Sequence, residues 1–479
     1  MENLSFNSYN LSKEILKAIN LLKYERPTKV QGKVIPLVLE GKDIIVKSET
    51  GSGKTAAFGI PICEKITAEG KAPKVLILTP TRELCVQVKE DIAAIGRFKR
   101  IRCAAIFGKQ PFSNQAQELR QRVNIVIGTP GRTMDHIDRN TFKLEEISFL
   151  VIDEADKMLS MGFIDQVENI IKKLPALRQT MLFSATMPEE IKVLCEKYLV
   201  RPVEIEIEKE NTESIVQLAY RINSTEKFDL LKKILYVENP ESCIIFCSRK
   251  ENVDTVCKKL KDENFSVGAL HGGMLQEERL RSIRDFKSGE FRFLVATDVA
   301  GRGIDIEDLS LIINYDVPEE KESYVHRIGR TGRAGKSGKA ITFIAQYEEK
   351  YIKTIEEYLS YKIEKGRLPS REEMEAGEKV FKHNGKTISR VKEDKLDLVN
   401  KHITKLYIGG GKKKKIRTGD IVGTILSIEK ITSEDIGIID VQDNFSYVDI
   451  LNGKGKLVLE ALRSSTIKGK ILKVEAAEK

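Results

Sequence analysis

The chain has 479 residues, too many for one hydrophobic core, and at roughly 100–200 residues per domain it should hold about three. Hydrophobic residues make up 41% and charged residues 32%, as in a soluble globular protein; no apolar run approaches the ~20 residues of a membrane span, and the opening MENLSFNSYN lacks a secretion signal. These features exclude a membrane partner and point to the cytosol, while 80 Lys+Arg against 71 Asp+Glu leave a net +9 that suits a polyanionic partner.

The seven cysteines are scattered, mostly inside apolar segments, and read as reduced core residues. Cys243 and Cys247 have no second pair nearby to make a zinc site. In chain order, Ile15, Leu16, Ile19 and Leu22 have helical spacing, with Ser12 as a cap. Next, Pro27-Thr28 sets a rigid helix start and places Gln31 about one turn later, where an amide can match the N6/N7 edge of adenine with Phe6 or Tyr24 stacked on the base. A capping Thr beside an exposed Gln is the simpler reading of those residues alone.

The β-branched run Asp43-Ile44-Ile45-Val46 leads into Ser48-Glu49-Thr50-Gly51-Ser52-Gly53-Lys54-Thr55, with a helical pattern behind it. Glycines let backbone N–H groups wrap a phosphate, Lys54 can reach the β/γ-phosphates, and the Thr55 hydroxyl can ligate Mg²⁺. Ser48 stands where the strict phosphate-loop pattern has glycine. The expected cofactors are ATP and Mg²⁺.

Strand and helix then alternate. The strand Lys74–Leu78 ends in Thr79-Pro80-Thr81-Arg82, and Asn124–Ile127 ends in Gly128-Thr129-Pro130-Gly131-Arg132; both ends can present donors to a phosphate backbone. Phe149–Ile152 runs into Asp153-Glu154-Ala155-Asp156, where Asp153 would hold the metal and Glu154 would position and deprotonate the attacking water. Met181–Phe183 ends in Ser184-Ala185-Thr186.

The ordered set PTKVQ, TGSGKT, PTREL, TPGR, DEAD and SAT resembles the first domain of the DEAD-box RNA helicases. Later segments match the second domain of that family: Cys243–Lys250, Gly272-Gly273 with Gln276 and Arg279, Ala296–Asp305, and His326–Arg333. The resemblance implies an α/β fold class of two tandem RecA-like parallel-sheet domains, and an RNA-dependent ATPase acting as a helicase. It assigns Arg330 and Arg333 as arginine fingers beside Lys54, Asp153 and Glu154, and Asp305 to the ribose. Asp156, Ser184, Ala185, Thr186 and His326 would couple closure to RNA. Arg82, Gly108, Thr129, Arg132, Gly273, Arg279 and Thr297 would contact RNA, mainly at phosphate and sugar. Departures from the family pattern are Gly108-Lys109, Gly301-Arg302-Gly303 and Lys23; none touches the hydrolytic residues.

Glu204–Ser214 is charged and aperiodic, as a hinge would be, and Ser370–Leu398 is a Glu/Lys-rich linker, partly helical at most. Residues 401–479 recover apolar patterning in the order β-α-β-β-α-β, an RRM-like α+β arrangement, and carry 15 Lys+Arg against 10 Asp+Glu. Stacking aromatics are thin, Tyr407 and Tyr447, whereas Lys412, Lys413, Lys414, Lys415 and Arg417 form a basic stretch at a helix start. KLYIGGGKKKKIR and 444–456 resemble the RNA-binding domain of the DbpA subgroup, which implies a 23S ribosomal RNA hairpin and pre-50S particles as partners. The expected domains are 1–207, 208–365, a linker 366–403, and 404–479. An ATP-clamped assembly scaffold and a phosphate-loop motor on DNA are the rival readings; intact Glu154, Arg330 and Arg333 oppose the first, the DEAD and SAT pairings the second, so no DNA partner is expected.

Overall fold

A computed structural model of the chain describes residues 5–49, 51–70, 72–207, 215–298, 306, 309–332, 338–384 and 395–477. Thr50, Asp305 and Arg333 lie outside the described residues. The chain splits into two units, Met1–Ile207 with Asp394–Lys479, and Glu208–Glu393. Among the described residues, no helix is long and apolar enough to cross a membrane.

The first unit opens with a parallel sheet of β1 (Ile44–Lys47), β2 (Val75–Leu78), β3 (Cys103–Ile106), β4 (Ile125–Gly128), β5 (Phe149–Ile152), β6 (Gln179–Ser184) and β7 (Val203–Glu206). Their order is β3-β4-β2-β5-β6-β1-β7. The strands are short apolar runs because both sheet faces are covered. Ile44 and Val46 pack into one core with Val75 and Ile77, while Ile45, Leu76 and Leu78 pack into another on the opposite face. Every catalytic segment foreseen for this domain leaves the carboxyl end of a strand, where an open parallel sheet binds ligands.

The second unit repeats the architecture with β8 (Ile215–Arg221), β9 (Cys243–Phe246), β10 (Val267–Leu270), β11 (Phe293–Ala296), β12 (Leu311–Asn314), β13 (Gly338–Ile344) and β14 (Glu364–Lys365). The order is β10-β11-β9-β12-β13-β8-β14. Cys243 and Cys247 are fully buried in its core, and burial pushes both thiols well up.

Residues Thr404 to Ala476 form a third sheet, ordered β16-β17-β15-β20, from β15 (Thr404–Ile408), β16 (Ile436–Val441), β17 (Ser446–Ile450) and β20 (Val474–Ala476). Helices Thr418–Leu426 and Gly455–Ser464 cover one face around Leu406, Ile408, Val448 and Ile450. β18 (Thr466–Ile467) and β19 (Lys470–Ile471) form a separate hairpin, so the last strand of the sheet begins only at Val474.

Three local expectations change. Ser12 does not cap its helix; its hydroxyl donates to Glu64 Oε2 at 2.7 Å. Glu204–Glu206 belongs to β7, paired with β1, because alternate residues Val203 and Ile205 find a half-buried edge. The foreseen linker holds two packed helices: Arg371–Asn384 seats Phe381 in the second unit's core, and Lys395–Asn400 seats Val399 in the first unit's. One aromatic or β-branched residue per short helix suffices to anchor it, a signal too sparse for periodicity to register.

In the second unit Lys227 is buried, with its ammonium 2.8 Å from Glu348 and 3.2 Å from Asp316. Removing one partner strands buried carboxylates. Lys227→Ala is expected to destabilise this unit by about 3–5 kcal/mol in urea unfolding.

Candidate nucleotide and RNA site

The phosphate loop leaves β1 and enters the helix Lys54–Lys65 through Gly51 and Gly53, both left-handed at φ 82° and 91°. The Lys54 ammonium turns back onto the Ser48 carbonyl at 3.2 Å, and the Ser52 hydroxyl donates to the Glu49 carbonyl at 3.0 Å. Thr28 and Gln31 form a reciprocal cap on the helix Lys29–Leu39 and also brace this loop. The Thr28 hydroxyl donates to the Ser52 carbonyl at 2.9 Å, and the Gln31 amide nitrogen donates to the Gly53 carbonyl at 3.2 Å. Gln31 Oε1 meanwhile accepts from the Thr28 N–H at 3.0 Å, so the amide braces the loop against the helix start. Phe6, foreseen as a stacking ring, is only 4% exposed and packs in the core, 6.5 Å from the half-buried Tyr24.

Asp153 and Glu154 follow β5 and are both buried. Glu154 adopts the left-handed conformation, φ 55°, which turns its side chain beside Lys157 at 2.8 Å. Such backbone strain in a non-glycine residue clusters at functional sites. Burial pushes the Asp153 carboxyl above its ordinary range, opposed by the Lys54 charge and reinforced by Glu154. Asp153 Oδ1 is buried with no hydrogen-bond partner among the described residues. An unsatisfied hard oxygen near Lys54, with the Thr55 hydroxyl in the first turn of the helix behind the loop, fits a Mg²⁺ ion carrying waters.

Ser184, at the end of β6, joins three segments. Its carbonyl accepts from the Ser48 N–H at 3.0 Å, its Oγ accepts from the Asp156 N–H at 3.2 Å, and the same hydroxyl donates to the Thr186 carbonyl at 2.6 Å. Asp156 Oδ2 in turn accepts from the Thr186 N–H and hydroxyl at 3.0 and 3.1 Å. The phosphate loop, the acidic turn and Ser184-Ala185-Thr186 thus share one hydrogen-bonded junction.

Arg82, Gly108, Thr129 and Arg132 follow the carboxyl ends of β2, β3 and β4, which are neighbours in the sheet. Arg132 Nη1 donates to the Gln110 carbonyl at 3.1 Å and to Gln115 Oε1 at 3.0 Å, and the Arg82 guanidinium lies against Gly108. Gln115 was not foreseen; its amide also donates to the Phe107 carbonyl at 3.0 Å, and only the fold brings it here.

In the second unit Gly273, Arg279 and Thr297 follow the neighbouring strands β10 and β11. The Gly273 N–H donates to His271 Nδ1 at 3.1 Å, while His271 Nε2 meets Asp254 at 3.0 Å, a support the sequence did not disclose. His326 and Arg330 lie at the end of the helix Lys321–Ile328 and just past it. Arg327 differs from the other arginines foreseen in this cluster. Its buried guanidinium grips both Asp298 oxygens at 2.5 and 2.6 Å and donates to Asn314 Oδ1 at 3.1 Å, so it ties the segment to the sheet.

The basic stretch of the tail is structured. Lys412 and Lys413 N–H groups donate to the Gln442 and Asp443 carbonyls at 2.8 and 2.9 Å, and Ile416 anchors the core. Lys468 and Lys470 of the hairpin reach the Lys415 and Lys414 carbonyls at 2.8 and 2.9 Å, adding two charges to Lys412–Lys415 and Arg417. On the open sheet face Phe445 joins Tyr407 and Tyr447, giving three mutually touching rings where the sequence suggested two.

Three family descriptions match in chain order: DEAD/DEAH box helicase over residues 28–194, helicase conserved C-terminal domain over 226–335, and DbpA RNA binding domain over 405–476. The ATP-dependent RNA helicase DbpA of Bacillus subtilis is 53% identical over 476 residues, covering 99% of each chain. The chain belongs to the DEAD-box ATP-dependent RNA helicases and carries a DbpA RNA-binding domain. The DEAD-box ATP-dependent RNA helicase CshA of the same organism is 42% identical over 78% of this chain and 76% of its own. Yeast Dbp5 bound to RNA and ADP BeF3 superposes with a TM-score of 0.69 at 33% identity, over 79% of this chain and 99% of that one. This DEAD-box protein is therefore an RNA-dependent ATPase built on two parallel-sheet RecA-like domains.

Two outcomes check the site. A Cβ at Gly53 would sit 2.6 Å from Gln31 Nε2 in a left-handed backbone, so Gly53→Ala should weaken ATP binding about tenfold or more in nucleotide titration. For Asp153 the native state holds its proton to higher pH than the unfolded chain, so its contribution to stability falls as pH rises past the ordinary carboxylate range. In metal-free buffer Asp153→Asn should therefore raise the melting temperature at pH 8 and leave it nearly unchanged at pH 4, whereas in Mg²⁺ buffer at pH 8 the same variant should lose ATP turnover.

Proposed function

We propose that this helicase separates short RNA duplexes by ATP-driven closure of its two RecA-like domains, with its tail holding the core on a hairpin of 23S ribosomal RNA during large-subunit assembly in the cytoplasm. The observation that carries the mechanical part is the Ser184 junction, because one residue hydrogen-bonds both the phosphate loop and the acidic turn. A shift at the nucleotide then cannot leave Asp156 and Thr186 in place. Thr55 and Asp153 would hold Mg²⁺, which would supply positive charge at the phosphates, while Glu154 orients and deprotonates the attacking water and Lys54 steadies the β/γ-phosphates. Arg330 and Arg333 belong to the domain without the phosphate loop, so hydrolysis waits for closure, and fingers of this kind are worth about 10³-fold or more in rate. Asp305 contacts the ribose.

Core RNA contacts come from Arg82, Gly108, Thr129 and Arg132 in one domain and Gly273, Arg279 and Thr297 in the other. They engage phosphate and sugar, so the core has little sequence preference. Selectivity is left to the tail, where a basic loop pinned at both ends presents Lys412–Lys415 at fixed spacing.

Glu154→Gln is expected to retain ATP and RNA binding and lose phosphate release; turnover near the wild-type rate would remove Glu154 from its role. Comparing ATP hydrolysis without RNA, with mixed-sequence RNA and with 23S ribosomal RNA tests the substrate. Selective stimulation by ribosomal RNA that disappears on removing residues 401–479, with generic stimulation retained, is the expected result. Equal stimulation by both RNAs would reduce the tail to a general anchor.

A further inference from the structure

The loop that joins the helix Arg82–Ile95 to β3 reads Gly96-Arg97-Phe98-Lys99-Arg100-Ile101-Arg102, four cations in seven residues. It lies at the amino ends of the strands, the edge of the sheet opposite the nucleotide and RNA segments. Three of these cations engage the tail. Arg97 pairs with Asp449 of β17 at 2.7 Å, with the two side chains only 13% and 4% exposed. Arg100 donates to the Ser433 carbonyl and Arg102 to the Ile439 carbonyl. Nearby, Lys17 donates to Asn452 Oδ1 at 2.7 Å.

The apolar part of the contact is equally specific. Leu451, directly after β17, and Val399 of the short helix Lys395–Asn400 are buried within the first domain's core, in one cluster with Ile95 and Phe98. That helix is tied down by Lys395 to Asp91 at 3.0 Å and by Asn400 to Arg97 at 3.0 Å. Asp449 projects from the open face of the tail sheet, the same side as Tyr407 and Tyr447, since Val448 and Ile450 alternate into the core. A carboxylate this deeply buried is costly without its cation.

We propose that the Asp449 end of the tail's open sheet face is a protein-docking surface, and that its partner is the basic loop 97–102 of the chain's own first domain. The helix Lys395–Asn400 acts as the strap. The tail then moves with the first domain as one body, and its RNA-holding loop is carried at a set position instead of swinging on a free linker. Because the contact lies at the amino edge of the sheet, it leaves the phosphate loop uncovered.

The test uses the full-length chain with fluorescent dyes at Lys143 in the first domain and Glu429 in the tail, read by single-molecule energy transfer. The wild type is expected to show one narrow transfer population. Arg97→Asp should broaden it and shift it to lower transfer, and adding Asp449→Arg in the same chain should restore it at least in part. Arg97 lies on a loop and takes no part in the ATP site, so the single variant should fold and hydrolyse ATP at the wild-type basal rate. A wild-type distribution already as broad as that of Arg97→Asp, or an Arg97→Asp distribution indistinguishable from a narrow wild type, would overturn the proposal. The alternative occupant of this face is a single-stranded RNA stacked on Tyr407, Phe445 and Tyr447. A free chain whose distribution is broad and narrows only on adding excess oligonucleotide would assign the face to RNA and overturn docking.

Discussion

The first domain depends on the hydrogen bonds of one serine. Ser184 ends β6 next to β1, so its carbonyl lies where the phosphate loop departs and its hydroxyl lies where the acidic turn begins. Parallel strands of this length have little freedom to slide, because each alternates side chains into two closed cores. The junction therefore has few ways to relax. The phosphate loop, Asp156 and Thr186 are held in one hydrogen-bonded set around Ser184.

Around that junction the domain holds charges that water would otherwise stabilise. Lys54 rests on a backbone carbonyl, Asp153 is buried with an unsatisfied oxygen, and Glu154 is held in a left-handed conformation against Lys157. Each is an unfavourable local arrangement that the surrounding sheet enforces, and each is suited to receive a nucleotide and its cation. The second unit uses its buried charges differently. Arg327 and Lys227 are consumed by internal carboxylates, and Arg327 fixes the segment that carries His326 and Arg330.

The sequence was legible wherever a residue's role is local. Gly51 and Gly53, the run into Asp153-Glu154, and the Thr28 cap announce themselves by spacing, since the backbone geometry they require is short-range. It misled where a side chain's neighbour comes from far away. Gln31 looks like a free amide until Gly53 is placed beside it, Phe6 is enclosed by residues far along the chain, and the spacing of Arg327 does not announce that Asp298 and Asn314 will bind it. Residues 366–403 read as solvent-loving linker because Phe381 and Val399 are isolated in a charged background.

By itself, then, the amino-acid sequence determined that this is a phosphate-loop enzyme of DEAD-box type with a basic RNA-binding tail, because glycine, lysine and carboxylate patterns at strand ends constrain chemistry within a few residues. Tertiary structure alone decided which of those groups are spent on the fold, that Lys468 and Lys470 extend the basic loop, and that Arg97 meets Asp449. Those contacts join residues dozens to hundreds of positions apart. Their partners are selected by packing and desolvation, which have no signature in local spacing.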